Sequence, residues 1–257
     1  MNRPALRLLD RLIERAHMLR IGRRRLHPYF LLADLGLLVT VVFCALKAAT
    51  NPEVRLVPFL AVLAGVYAGY EGVFLRLKAK LLGTRARSLL QDVLLFILPG
   101  FLTGFAVLGL SWRPHLDLLA LALPLFLAFV RVGCFLGGCC YGRPCRWGCL
   151  YPPHVHASTP GGCRAFQPGP PPEGRVFPIQ LLDSVAQLTL FLLLQLPALD
   201  AAFAGRRLML YLVGYAAFRM VSDCWRKVSA RPRIGPFSEA QVLSGLVVLG
   251  GFGLLIL

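Results

Sequence analysis

The polar and apolar positions of this chain fall into long blocks rather than short alternations. Seven apolar blocks, at 28–49, 58–77, 89–110, 116–136, 178–199, 207–224 and 240–257, each come close to the roughly 20 residues that a helix needs to cross a bilayer core. Backbone groups in lipid must be satisfied within their own segment, so each block is predicted as a helix. The blocks lack the period-two alternation of barrel strands. Connections are short except at 143–177, a Cys/Pro/Gly-rich loop in which no regular structure is expected. The expected architecture is all-α: a polytopic integral membrane protein of about seven transmembrane helices. It forms a single helical domain over 28–257, preceded by a basic arm at 1–27.

Composition agrees with the pattern. Only 16% of the 257 residues are charged and 57% are hydrophobic, against roughly 25% charged in ordinary soluble domains. The mean hydropathy is +0.66. The net charge of +16 favours anionic lipid headgroups as a partner; nucleic acid is not expected, since no binding motif or soluble basic domain is present. In the arm, Arg3, Arg7, Arg11 and Arg15 recur every four residues with leucines between them. That pattern suits an interfacial helix, with a frayed basic tail as the alternative. No apolar stretch with a small-residue cleavage site follows, so no removed signal peptide is expected. Basic residues concentrate in the arm and in the loops after the second, fourth and sixth blocks. The other side carries Lys47, Arg55, Arg113, Arg206 and Arg207, so the positive-inside rule puts the N-terminal face in the cytoplasm.

Charges inside apolar blocks change the picture most, because each is costly in lipid and marks a candidate site. Asp34, Glu71, Arg131, Asp183, Arg219 and Asp223 are such residues, each expected to face the bundle interior or a wet cavity. Arg219 and Asp223 are four apart and share a helix face. These charges either lock helices together or build a binding site. Two guanidinium forks, Arg131 and Arg219, match the oxygens of a phosphate. The glycines of the run Arg131-Val132-Gly133-Cys134-Phe135-Leu136-Gly137-Gly138-Cys139-Cys140-Tyr141-Gly142 permit a sharp turn and close approach beside Arg131.

These residues carry a resemblance. The run from Arg131 to Gly142 is similar to the signature Arg-x-Gly-Asn-Phe-x-Asn-Gly-Glu-x-x-Gly of the prolipoprotein diacylglyceryl transferase family. Asp117, Ala120 and Pro124 stand at that family's spacing upstream. Phe177-Pro178-Ile179-Gln180-Leu181-Leu182-Asp183 resembles its His-Pro-x-Gln-Leu-Tyr-Glu helix start. Tyr215, Arg219, Asp223 and Arg226 follow its late Tyr-x-x-x-Arg-x-x-x-Glu-x-x-Arg run, with Gln241 beyond, and Tyr29 and Gly36 fit its first helix. The resemblance implies a transfer of diacylglycerol from phosphatidylglycerol to the cysteine thiol that follows the signal peptide of a prolipoprotein. It implies a multi-pass protein of the bacterial inner membrane and no cofactor. By the same resemblance Arg131, Arg219 and Asp223 are the candidate catalytic residues. Tyr29, Gly133, Gly138, Gly142, Gln180, Asp183, Tyr215 and Arg226 are the candidate substrate-binding residues. The alternative is a phospholipid-binding or transporting protein of the same fold without transfer. The resemblance departs at three points. The family's His-Gly-Gly-Leu histidine has no counterpart, the nearest segments being Pro99-Gly100-Phe101-Leu102-Thr103-Gly104 and Gln91. Cys134, Gly137 and Cys139 stand for two asparagines and a glutamate, and Asp183 and Asp223 for two glutamates.

The cysteines are crowded, with Cys134, Cys139, Cys140, Cys145, Cys149 and Cys163 in one stretch that includes His154 and His156. Cys145 and Cys149 with Cys163 or a histidine are weak candidates for a four-ligand zinc site, because the spacing is not a paired Cys-x-x-Cys. A disulfide in the loop is the other reading. Cys134 and Cys139 read first as small packing residues, with a redox or thiol-relay role for Cys139 or Cys140 left open.

Overall fold

The computed structural model describes residues 4–17, 20–21, 24–82, 96–153, 155, 173–226 and 233–256. The described residues are mostly helical, about 76%. Helix α1 covers Pro4–His17 and α2 Pro28–Thr50. Helix α3, Leu56–Gly69, continues through a π turn, Tyr70–Phe74, into α4, Leu75–Leu82. Then follow α5 (Leu98–Val107), α6 (Trp112–Leu136), α7 (Ile179–Leu193), α8 (Pro197–Ala202), α9 (Arg207–Ser222) and α10 (Glu239–Ile256). Short extended pieces depart from the all-α expectation. Arg20–Ile21 (β1) pairs with Arg24–Arg25 (β2), and Arg233–Ile234 (β4) with Phe237–Ser238 (β5). Pro144–Cys149 (β3) brings regular backbone into the loop that was expected to have none.

Among the described residues, three helices are long and apolar enough to cross a membrane: Pro28–Thr50, Leu56–Leu81 and Trp112–Leu136. Leu98–Val107, Ile179–Leu193 and Glu239–Gly251 are apolar but shorter. At 1.5 Å per residue, α7 rises about 22 Å, less than the roughly 30 Å of hydrocarbon. It ends where Pro197 follows a break, since the residue before proline is pushed out of the helical region. The third expected block falls partly on 89–95, outside the described residues.

Helix α6 is the axis of the fold. Of its apolar window 61% is buried within the protein, against 17% for α2 and for Leu56–Leu81. Helices α2, α7 and α9 pack on it, while α9 pairs with α10. The outer face of α2 leaves Leu31, Leu35, Leu38, Val42 and Leu46 exposed, which suits lipid contact. Asp34 and Glu71 do not face the interior as expected; both are exposed. Asp34 lies less than two turns from the start of α2, within reach of headgroups, and Glu71 precedes the basic end formed by Arg76, Lys78 and Lys80.

The two ends of α6 do different things. At the first end, Asp117 accepts hydrogen bonds from the backbone N–H groups of Gly205 (2.6 Å) and Arg207 (3.1 Å) and so caps α9. Buried His115 sits there too, 3.1 Å from the N–H of Arg55 and 2.6 Å from the carbonyl of Ser111. At the other end, α6 meets α1, α7 and the 143–177 loop. A small apolar cluster joins Ile13, Phe135, Tyr141, Cys149, Tyr151, Val155 and Val176 there. Asp10 ties α1 down, pairing with Arg175 (Nη2–Oδ2 2.5 Å) and accepting the N–H of Leu150 (2.9 Å).

Candidate functional site

The signature turn is a helix C-terminus built by its glycines. The N–H of Gly138 bonds to the carbonyl of Phe135 (3.4 Å) and that of Cys139 to the carbonyl of Cys134 (3.1 Å). With Gly138 left-handed at φ +69°, this is a Schellman cap. A β-carbon on Gly138 would also lie 2.9 Å from Val155. Gly133 presses on the backbone of Tyr29, and Gly142 lies so close to the carbonyls of Trp225 and Phe177 that a side chain does not fit. Gly142 and Arg143 in turn bond to Phe177 and Trp225, which knits the turn to the starts of α7 and the end of α9.

Three arginines converge on this end of α6. Arg131 Nε lies 3.3 Å from Asp183 Oδ2. Arg226, which follows α9, donates through Nη2 to the same oxygen. Arg219 pairs with Asp223 across one helical turn, Nη2 to Oδ1 3.7 Å, and is within electrostatic reach of Asp183. Asp183 and Arg226 are buried and Arg131 is half-buried. Among the described residues, three guanidinium groups thus meet two carboxylates here. Among the described residues, Arg226 Nε and Asp183 Oδ1 are buried with no hydrogen-bond partner. One is a donor and the other an acceptor for a group entering the site.

The other expected residues take distinct places. Tyr215 stacks between Tyr211 (6.1 Å) and Phe218 (6.3 Å) and is within electrostatic reach of Arg131. Tyr29 stands at the same end of α6, against Gly133 and Gly137. Gln180 is fully buried, and its Nε2 donates to the carbonyl of Cys139 (2.6 Å) and contacts the Tyr151 hydroxyl (3.3 Å). It therefore holds the signature turn in shape. Asp117 and Ala120 lie toward the far end of α6, where Asp117 caps α9; it is about 21 Å of helix rise from Arg131.

The structure also brings in residues that the sequence pattern did not single out. Ser238 donates to Asp223 Oδ2 (2.6 Å). Its hydroxyl accepts the N–H of Gln241 (3.1 Å) while Gln241 Oε1 accepts the N–H of Ser238 (3.0 Å), a capping box on α10. Ser-x-x-Gln before an apolar run is the signal that finds it. His27 caps α2, its Nδ1 accepting the N–H of Tyr29 at 3.2 Å, and its ring lies against Gly137.

The loop metal candidates are only partly covered by the described residues. Pro144 and Cys149, at the two ends of β3, both bridge Val176, and the N–H of Cys145 bonds to the carbonyl of Arg175 (2.9 Å), so Cys145 and Cys149 flank the same short stretch. Cys149 is buried, 3.7 Å from the carbonyl of Val176, and burial pushes its thiol up to about 11. Both cysteines are thiols rather than a disulfide. His154, His156, Cys163 and Gln91 lie outside the described residues. The nearest match to the family's histidine motif, Pro99, Gly100, Thr103 and Gly104, lines an apolar groove of about 590 Å³ against Val62 and Val66.

The comparisons with known proteins bear on the same residues. The chain is 28% identical over 136 residues to the phosphatidylglycerol–prolipoprotein diacylglyceryl transferase of Clostridium tetani, covering 53% of this chain and 50% of that one. It is 31% identical over 170 residues to the enzyme of that name in Chlorobaculum tepidum (61% and 53%). To that of Yersinia enterocolitica it is 29% identical over 154 residues (54% and 52%). The chain thus spans about half the length of the curated relatives it matches. The family model described as prolipoprotein diacylglyceryl transferase matches residues 93–257, which take in the signature turn, all three site arginines and both of their carboxylates, and the chain belongs to that family of membrane proteins.

Proposed function

We propose that this protein is a multi-pass transferase of the bacterial inner membrane, moving diacylglycerol from phosphatidylglycerol to the cysteine thiol that follows a prolipoprotein signal peptide. The observation that carries this reading is the convergence of Arg131, Arg219 and Arg226 around Asp183 at one end of α6. The anion they would face is the phosphodiester of the lipid. Guanidinium groups suit that anion, since their planar forks bind two oxygens at once. Arg226 Nε supplies a buried donor that no group among the described residues accepts.

In the reaction the acceptor sulfur attacks the glyceryl carbon. The S–C bond forms as the C–O bond to phosphate breaks, and glycerol phosphate leaves with the bonding electron pair. Arg131, Arg219 and Arg226 offset the charge that grows on the departing phosphate, a contribution of roughly 3–4 kcal/mol per well-placed donor. The same positive field favours the thiolate over the thiol of the acceptor, whose proton passes to solvent. Asp183 and Asp223 hold the arginines in place. Tyr29 and Tyr215 line the headgroup end, and the flanking helices, with the short ones α5, α7 and α9 counted in, make the seven spans.

The test is mass spectrometry of a lipobox peptide incubated with the purified protein and phosphatidylglycerol vesicles. The expected product is the diacylglyceryl thioether, absent with Arg131→Ala. Persistent absence of that product with the parent chain, while phosphatidylglycerol still binds, establishes the phospholipid-binding alternative. That reading is favoured by the loss of the signature's two asparagines and glutamate to Cys134, Gly137 and Cys139.

A further inference from the structure

The Schellman cap that ends α6 does more than stop a helix. In this motif the residue two past the cap packs on the residue three before it, which here sets Cys139 beside Cys134, five positions back. Cys140 follows in a left-handed conformation, φ +58°, where the backbone is strained for a side-chain-bearing residue. The result is that the Sγ atoms of Cys134, Cys139 and Cys140 all lie within 4.8 Å of one another. Cys134 and Cys139 are buried and Cys140 is half-buried, which leaves one side of the group approachable.

We propose that these three cysteines are a thiolate site for a zinc(II)-class cation, with its fourth position open to an external thiolate. Zinc–sulfur bonds of about 2.3 Å put tetrahedral sulfurs roughly 3.8 Å apart, so the thiols need to close by no more than about an ångström. Charge also fits. Uptake releases three protons, and three thiolates with a divalent ion carry one net negative charge. Arg131, within electrostatic reach of Cys134 and Cys140, offsets it. A cation at the C-terminal end of α6 is further favoured by the helix dipole. Three protein ligands leave a tetrahedral ion one vacant position, the pattern of reactive rather than structural zinc. A thiol bound there is deprotonated outright, which supplies at the signature turn what the missing family histidine does not. The metal site stands on the geometry alone; its use for the acceptor thiol rests on the transferase reading.

The experiment uses the full chain in detergent, reduced and stripped with a chelator, then titrated with zinc against a competing chromophoric chelator. One zinc per chain is expected, with three sulfurs at about 2.3 Å and one lighter donor in the X-ray absorption spectrum. Cys139→Ser and Cys140→Ser should each weaken binding by more than the roughly 10–100-fold typical of an outer-shell partner. Cys145→Ser and Cys149→Ser should not. Cys140 is half-buried, so its variant remains informative even where Cys139→Ser fails to fold. Adding a cysteine peptide should convert the spectrum to four sulfurs. No stoichiometric zinc, or zinc that survives in both Cys139→Ser and Cys140→Ser, overturns the site. Zinc that stays at three sulfurs in the presence of the peptide overturns the thiol-binding role, whatever the outcome of the transfer assay.

Discussion

Asp183 is the residue on which the site turns, because one carboxylate oxygen serves two guanidinium groups from segments far apart in the chain. Breaking a buried ion pair from one side costs about 3–5 kcal/mol, since the partner charge stays buried. Asp183→Asn is therefore expected to cut the initial rate of transfer by at least ~100-fold and to lower the thermal midpoint in detergent. A parental rate would refute the shared-anchor role. Asp223→Asn should do less, because an amide oxygen still accepts the Ser238 hydroxyl while the ion pair to Arg219 is lost. Of these residues, Arg131, Asp183, Arg219 and Asp223 were legible as charges in apolar blocks. That Arg226 shares Asp183 was not, since nothing in a sequence reports a contact 43 positions apart.

At the scale of elements, two helix ends position the chemistry. The Ser238–Gln241 capping box starts α10 and at the same time bonds Asp223. Ser238→Ala is expected to cost about 1 kcal/mol of stability through the cap. It should also reduce transfer, because Asp223 loses a partner; Ser238→Thr, which keeps the hydroxyl, should restore most of both. Unfolding in denaturant and the initial rate, measured on both variants, check this. The Schellman end of α6 depends on Gly138. Gly138→Ala adds about 1–2 kcal/mol of left-handed backbone strain and meets Val155 at 2.9 Å. A lower thermal midpoint with displaced signature-turn amide signals is the expected outcome. The glycines announced a turn, but which cysteines it would join was not readable. A Cys-x-x-x-x-Cys-Cys spacing has no metal meaning until a helix cap folds it.

Across the whole molecule, α1 and the 143–177 loop close one end of the bundle around Asp10, Arg175 and Ile13. Asp10→Ala removes the acceptor of Leu150 N–H and the partner of Arg175. Hydrogen exchange and proteolysis should then rise together in α1 and in residues 144–153. Faster exchange in α1 alone would show that the helix is only resting on the loop. This end also sets an alkaline limit. Burial raises the Cys149 thiol to about 11, so the neutral form is favoured in the folded protein. Its stabilisation is complete below about pH 9 and is lost as pH rises through about 11, on the order of 2–3 kcal/mol. Thermal midpoints measured from pH 8 to 11 should fall less steeply for Cys149→Ala than for the parent.

Block length and hydropathy by themselves determined that this is a helical membrane protein, because lipid tolerates no other use of such long apolar runs. The order of the motifs, from Arg131 through Asp183 to Arg226, was likewise enough to suggest the family. Only the tertiary structure decided which charges meet. Arg131, Arg219 and Arg226 become one site because α7 and α9 both pack on α6. Asp117 is excluded from it because α6 is rigid and holds its ends about 21 Å apart. A sequence records which groups are costly to bury, and packing alone settles which of them share the burial.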